Sequence, residues 1–155
     1  MSDPVLLVID VGNTNVSLGV YDYEDGEGRL AQHWRVSTHR EQTSDELVIT
    51  LSSLFATEGR RTNEITDVIL SSVVPPVVPI WERVSTKIFG NPPQIVGPGM
   101  RTGMPVRYEN PHEVGADRIV NAVAAYELFG GPVIAVDFGT ATTFDCLSDR
   151  GEYLG

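Results

Sequence analysis

The chain has 155 residues, 41% of them apolar and 21% charged, a composition that supports a folded core and excludes a disordered polymer. Its formal net charge of -10 excludes nucleic-acid binding through a basic surface, and anions must instead be held by local devices such as backbone N–H groups, an arginine or a metal ion. No apolar run approaches the roughly 20 residues that span a bilayer. The start lacks a basic leader, and a single cysteine, Cys146, precludes an internal disulfide, so a reducing cytoplasm is the expected compartment.

In chain order, VLLVID (5–10) reads as a buried strand and NVSLGVYD (15–22) alternates as a strand with one buried face. EDGEG (24–28) is a turn, and RLAQHWRVST (29–38) a third strand, so the chain opens in a three-stranded meander rather than a strand feeding a helix. Thr43 or Ser44, with Glu46 close behind, caps a helix that runs to about Ala56. TDVILSSV (66–73) is a buried strand, Trp81 to Phe89 a short helix and PQIVG (93–97) a short strand. Residues 98–112, with three prolines and two glycines, read as a loop. Glu113 to Phe129 carries a helical apolar stripe and ends at Gly130-Gly131-Pro132. The remainder gives a strand, a hairpin, a second strand and the start of a third.

VIDVGNTNVSLGV (8–20) and AVDFGTATTFDCL (135–147) share one pattern: a strand, an Asp, an apolar residue, a Gly, a polar pair and a strand. The echo suggests a duplicated fold. The expected division is a first domain over 1–112, a linking helix over 113–131 that contributes to the site, and an incomplete second domain over 132–155. An open three-stranded start cannot bury both faces, so the expectation is a fragment of a longer protein or a chain completed by a partner.

Three segments can carry chemistry. In Asp10-Val11-Gly12-Asn13-Thr14-Asn15, a Gly-containing hairpin lets backbone N–H groups approach a phosphate, the Asn and Thr side chains add donors, and Asp10 can hold Mg²⁺ through water. A plain turn uses the same residue types. In the echo, Asp137 closes an apolar strand and Thr140, Thr142 and Thr143 offer hydroxyls for the other end of a polyphosphate. Between them, Asp117 can accept a proton from an attacking hydroxyl and Arg118 can neutralise a carboxylate or a developing phosphoryl charge. A solvated, acidic helix start is the plain alternative there. Asp117 and Arg118 are adjacent, so they point in different directions and need not pair. His33, His39 and His112 lack metal-ligand spacing, Cys146 reads as core rather than nucleophile, and Trp34 and Trp81 as packing residues.

The segments DVGNTN, NPHEVGADR and DFGTATT, in this order and spacing, resemble type III pantothenate kinase. WRVST (34–38), TSDEL (43–47) and SSVVPPV (71–77) fit the same pattern, and the resemblance covers about Leu6 to Gly155. It implies an α/β, ribonuclease H-like (actin-like ATPase) domain whose mixed sheet opens in the antiparallel meander, followed by the start of a second, duplicated domain. It implies ATP-dependent phosphorylation of pantothenate, the first step of coenzyme A synthesis, in a cytoplasmic homodimer without nucleic-acid or membrane partners. Carried over by residue, Asp10, Val11, Gly12, Asn13, Thr14, Asn15, Val16 and Ser17 form the first ATP motif, with Asp10 near Mg²⁺, and Thr140 is a further ATP contact. Tyr108, Gly115, Ala116, Asp117 and Arg118 contact pantothenate, Asp117 is the general base, and Asp137 is the ligand of a monovalent cation, K⁺ or NH₄⁺. Family chains continue well past this length, so the 155-residue piece is expected to lack kinase activity alone. The alternatives are a non-enzymatic transcriptional accessory factor of the same family and another small-molecule kinase of the superfamily.

Overall fold

The computed structural model describes residues 3–97 and 100–155, and residues 98–99 of the expected loop lie outside them. The chain divides into two compact units, one ending at Ile95 and the other spanning Val96–Gly155. The boundary expected near residue 112 lies within the second unit.

The first unit is a five-stranded mixed sheet with two helices. Strands β1 (Val5–Val11), β2 (Asn15–Glu24) and β3 (Glu27–Ser37) form the antiparallel meander. Asp25 and Gly26, with φ of 52° and 85°, close the β2–β3 hairpin. Both left-handed residues match the twist of a two-residue hairpin turn. Helix α1 (Ser44–Thr57) leads to β4 (Asp67–Ser72), which runs parallel to β1, and helix α2 (Val78–Phe89) leads to β5 (Gln94–Ile95), parallel to β4. The strand order is β3-β2-β1-β4-β5.

Strand periodicity sorts this sheet into two faces. Leu7, Ile9 and Val11 stand opposite Val20, Leu18 and Val16 of β2, and Leu7 and Ile9 opposite Val68 and Leu70 of β4. All eight are buried. Leu47, Leu51 and Phe55 of α1, one stripe at four-residue spacing, and Trp81, Val84 and Phe89 of α2 join them in one core. The Phe55 ring lies 5.2 Å from Trp34 and 5.7 Å from Phe89. Both tryptophans pack, as their isolation in the sequence suggests.

The caps fix where the helices start. Thr43 is the N-cap of α1, and its hydroxyl accepts from the Glu46 N–H while the Glu46 carboxylate accepts from the Thr43 N–H at 2.7 Å. Helix α2 starts three residues earlier than the expected Trp81, because a 3-10 turn over Pro75–Val77 runs directly into it. Prolines fit these first-turn positions, where no intrahelical N–H donor is required. Gly90, at φ 88°, ends α2 in the left-handed region. Arg60, just past α1, reaches the meander through Asp22 at 2.6 Å and Gln32 at 2.8 Å, and also pairs with Glu64 of the following 3-10 turn at 3.3 Å. Burial works against the Arg60 charge, but its two carboxylate partners outweigh it and hold the guanidinium above its ordinary pKa.

The second unit holds helix α3 (Ala116–Phe129) and the antiparallel pair β6 (Val133–Phe138) and β7 (Thr142–Leu147). Ala122 of α3, Leu147 of β7, Met104 and Tyr153 form its buried core. The helix starts at Ala116 rather than the expected Glu113, because Asn110 and Pro111 set up a separate 3-10 turn over Pro111–Glu113. The expected third strand reduces to Tyr153, which bridges Leu147 on one side and Val106 on the other. Ile134, Val136 and Phe138 of β6 and Phe144 of β7 are exposed. Among the described residues no helix is long and apolar enough to cross a membrane.

Phe55→Ala should cost about 3–5 kcal/mol in urea unfolding followed by tryptophan fluorescence, which reports the first unit because both tryptophans lie in it. A loss below about 1 kcal/mol would show that the ring trio does not hold the helices to the sheet. The Thr43 N–H, followed by its hydroxyl, lowers the Glu46 pKa. A lowered folded-state value means that the cap stabilises above the ordinary Glu value and is lost as pH falls through the folded one. Carboxyl NMR should therefore place the Glu46 midpoint below that of an ordinary Glu, and Thr43→Ala, which removes the hydroxyl but keeps the backbone N–H, should raise it only part of the way back.

Candidate functional site

The first candidate element is the β1–β2 hairpin. Asp10 stands opposite Ser17 of β2 and Ser71 of β4, so the three oxygen-bearing side chains share the sheet face away from Leu7, Ile9 and Val11. Asp10 is half-buried, Ser17 exposed and Ser71 buried. Val11 and Val16 face each other inside the core, so any contribution of theirs to a ligand runs through the backbone. The Val11 carbonyl already accepts from the Val73 N–H at 3.1 Å.

Between these strands the loop is latched from both sides. The Gly12 N–H donates to the Asn15 carbonyl at 2.9 Å, so it serves the turn itself and not an incoming phosphate. A Cβ on Gly12 would approach that carbonyl to 3.1 Å, which is tight. The Thr38 hydroxyl donates to the Gly12 carbonyl at 2.7 Å, and the Thr38 N–H to the Thr14 carbonyl at 2.9 Å. Arg40 donates to the Asn13 side-chain carbonyl at 3.0 Å. Asn13 and Thr14 are exposed and Asn15 is half-buried. Thr38 and Arg40 escape a reading of the loop alone, because they come from the far end of β3. The β2–β3 pairing, Asn15 opposite Ser37, brings them there.

In the second unit, β6 and β7 repeat the device with a loop one residue shorter. Val11 and Val16 bracket four residues in the first hairpin, and Phe138 and Thr142 bracket three in the second. Asp137 stands opposite Thr143, as Asp10 stands opposite Ser17, and the Gly139 N–H donates to the Ala141 carbonyl at 3.2 Å. Asp137 and Thr140 are exposed. Cys146 is half-buried in β7.

The start of α3 holds the remaining residues. Gly115 is the N-cap and Ala116 the first helical residue. The Asp117 carboxylate accepts from the Arg118 N–H at 2.8 Å, at the helix end where an anion is favoured. The Arg118 guanidinium turns elsewhere, to the buried Asp145 at 2.6 Å and the Phe144 carbonyl at 2.9 Å. Tyr108 is 41% exposed, and its ring lies against Gly155, where a Cβ would come within 2.7 Å of it.

Among the described residues no three His, Cys, Asp or Glu side chains gather as a metal cluster. Asp10 with its two neighbouring hydroxyls is an all-oxygen set that suits Mg²⁺, an ion that usually takes one or two carboxylates and completes its shell with water and phosphate. Asp137 supplies one exposed carboxylate, opposite Thr143.

The sequence profile of type III pantothenate kinase matches residues 6–155, a span that includes both hairpins and the start of α3. The chain belongs to the type III pantothenate kinase family. Similar curated proteins bearing that family's name include one from Geobacter sulfurreducens, 56% identical over 97% of this chain, and one from Moorella thermoacetica, 53% identical over 97%. The chain spans 58% of the length of each. Two solved structures resemble it more distantly. They are a Ppx/GppA family member from Aquifex aeolicus (16% identity, TM-score 0.51, 95% of this chain and 48% of that one) and YeaZ from Pseudomonas aeruginosa (13%, TM-score 0.51, 100% and 65%). At such identities they bear on the fold alone, and they agree with the α/β, actin-like reading of the mixed sheet.

Thr38→Val removes the bond to Gly12 while keeping the Thr38 N–H bond to Thr14. It should cost about 1 kcal/mol and speed hydrogen exchange at the Gly12 N–H. Unchanged exchange there would show that the latch does not order the loop.

Proposed function

We propose that the protein transfers the γ-phosphoryl group of ATP to pantothenate, the first step of coenzyme A biosynthesis. The observation that carries the reading is at the start of α3: Asp117 and Arg118 are neighbours in sequence, but their side chains serve different partners. That separation is what a base and a charge-neutralising group need. In the proposed step the Asp117 carboxylate takes the proton of the pantothenate hydroxyl as its oxygen bonds to the γ-phosphorus. The bond from that phosphorus to the bridging oxygen breaks, and ADP leaves. Tyr108, Gly115, Ala116 and Arg118 hold pantothenate.

The β1–β2 loop, from Asp10 through Val11, Gly12, Asn13, Thr14, Asn15 and Val16 to Ser17, takes the ATP phosphates. With the Gly12 N–H committed to the turn, the loop's side-chain donors are those of Asn13, Thr14, Asn15 and Ser17. Asp10, with the Ser17 and Ser71 hydroxyls beside it, would hold Mg²⁺, which would supply positive charge against the phosphates. Thr140 is a further ATP contact, and Asp137 a ligand of K⁺ or NH₄⁺. We read β6–β7 as the opening of a second copy of the β1–β2 arrangement. The protein acts as a cytoplasmic homodimer without nucleic-acid or membrane partners, and the 155-residue stretch alone does not turn over.

In the full-length protein, Asp117→Asn should lower kcat on the order of 10²- to 10⁴-fold, the usual contribution of a positioned base, with an unchanged circular dichroism spectrum. Near-normal kcat in that variant would remove Asp117 from the base role. Replacing K⁺ by Na⁺ should lower activity, and equal rates in the two salts would remove Asp137 from the cation site.

A further inference from the structure

Asp145 lies two residues past the DFGTATT motif, at the far end of the echo, where no site role is expected of it, and it is one of the most buried charged residues described, at 1% exposure. Three contacts converge on its Oδ1: Arg118 Nε at 2.6 Å, Arg118 Nη2 at 2.6 Å and the Tyr153 hydroxyl at 2.7 Å. Arg118 Nη2 also donates to the Phe144 carbonyl at 2.9 Å. These bonds occupy one edge of the planar guanidinium, Nε and Nη2, and none of them uses Nη1. The Arg118 side chain is 29% exposed while its partner is buried, so the pair has one sealed end and one open end.

The support behind Asp145 is stiff. Tyr153 is fully buried, its N–H donates to the Pro105 carbonyl at 2.9 Å, and its own carbonyl accepts from the Arg107 N–H at 2.8 Å. Its ring lies 5.8 Å from the Arg118 guanidinium carbon. Burial, then the Asp145 carboxylate, raises the pKa of the Tyr153 hydroxyl, which keeps it a donor. A buried ion pair is a poor device for stability alone, since well-packed apolar residues commonly do as well. It is a good device for orientation, because a guanidinium held along one edge presents its remaining donors in one direction.

We infer that Asp145 and Tyr153 are positioning residues for Arg118, fixing its guanidinium so that the free Nη1 edge meets the carboxylate of the acceptor substrate. This rests on the reading of Arg118 as a pantothenate contact, whose acid group is the natural partner of that edge. Asp145 touches no substrate and acts through Arg118.

The test compares wild type, Asp145→Asn, Tyr153→Phe, Arg118→Lys and the Asp145→Asn/Arg118→Lys pair in the full-length protein. Asp145→Asn should raise the pantothenate KM about 10- to 100-fold, the loss expected for a charge-assisted hydrogen bond, and leave the ATP KM within about twofold. Tyr153→Phe should raise the same KM by a smaller factor. The double variant should be no worse than Arg118→Lys alone, because both changes remove one interaction. Independently of turnover, the Arg118 Nε–H resonance, identified by its loss in Arg118→Lys, should be protected from exchange in wild type and lose that protection in Asp145→Asn. Retained protection in Asp145→Asn, or released protection with an unchanged pantothenate KM, would overturn the inference. If Asp145→Asn does not fold, Tyr153→Phe decides: an unaltered Nε–H exchange rate there overturns it. If wild type phosphorylates no pantothenate but Asp145→Asn still frees the Nε–H, the substrate reading fails while the hold on Arg118 stands.

Discussion

The first unit depends on the register of β1 between its two neighbours. Hydrogen-bonded to β2 on one edge and β4 on the other, β1 sends Leu7, Ile9 and Val11 into the core and Asp10 to the opposite face. Because side chains alternate along a strand, a slip of one residue would turn the three apolar side chains out and Asp10 in. Burial of each large apolar side chain is worth about 1.5–3 kcal/mol, so the core locks the register. The position of the carboxylate beside Ser17 and Ser71 follows from that lock. The loop beyond it is held by a different mechanism, hydrogen bonds from Thr38 and Arg40 at the end of β3. Core packing thus places the acid, and a polar latch shapes the turn.

The second unit solves a similar problem with charge. Its core is smaller, and within it a buried carboxylate, Asp145, carries Arg118 and Tyr153. An unpaired charge at that depth would be strongly destabilising, so the three residues form an all-or-nothing set. Arg118 follows Asp117 in α3, so the same contacts that pair Asp145 Oδ1 also anchor the first turn of the helix, while Asp145 Oδ2 is buried without a hydrogen-bond partner. Fold and candidate chemistry are coupled there more tightly than in the first hairpin, where Asp10 shares its sheet with a large apolar core.

Much of this was legible in the sequence, for identifiable reasons. The meander follows from alternation at Val16, Leu18 and Val20 and from the Asp25-Gly26 turn. The start of α1 follows from Thr43 and Glu46, whose roles are local. The starts of α2 and α3 were displaced by three residues each, and in both cases a proline had built a 3-10 turn, a structure that hydrophobic periodicity does not register. Asp117 and Arg118 could be singled out, and their divergence followed from adjacency. The partner of Arg118 could not: Asp145 lies 27 residues away in an ordinary alternating strand, and only the folding of β7 beside α3 identifies it. The inward turn of the Gly12 N–H was also hidden, because a glycine in a loop does not reveal which way its amide points.

We propose that the protein is a phosphoryl-transfer enzyme whose acceptor is pantothenate, with Asp117 as the base. The most direct measurement follows the label from γ-phosphate-labelled ATP, with Mg²⁺ and K⁺, in the full-length protein with and without pantothenate. Label appearing in phosphopantothenate, with ADP formed in equal amount and only when pantothenate is present, is the expected result. ATP turnover that is indifferent to pantothenate, or no transfer of label by a folded protein, would contradict it.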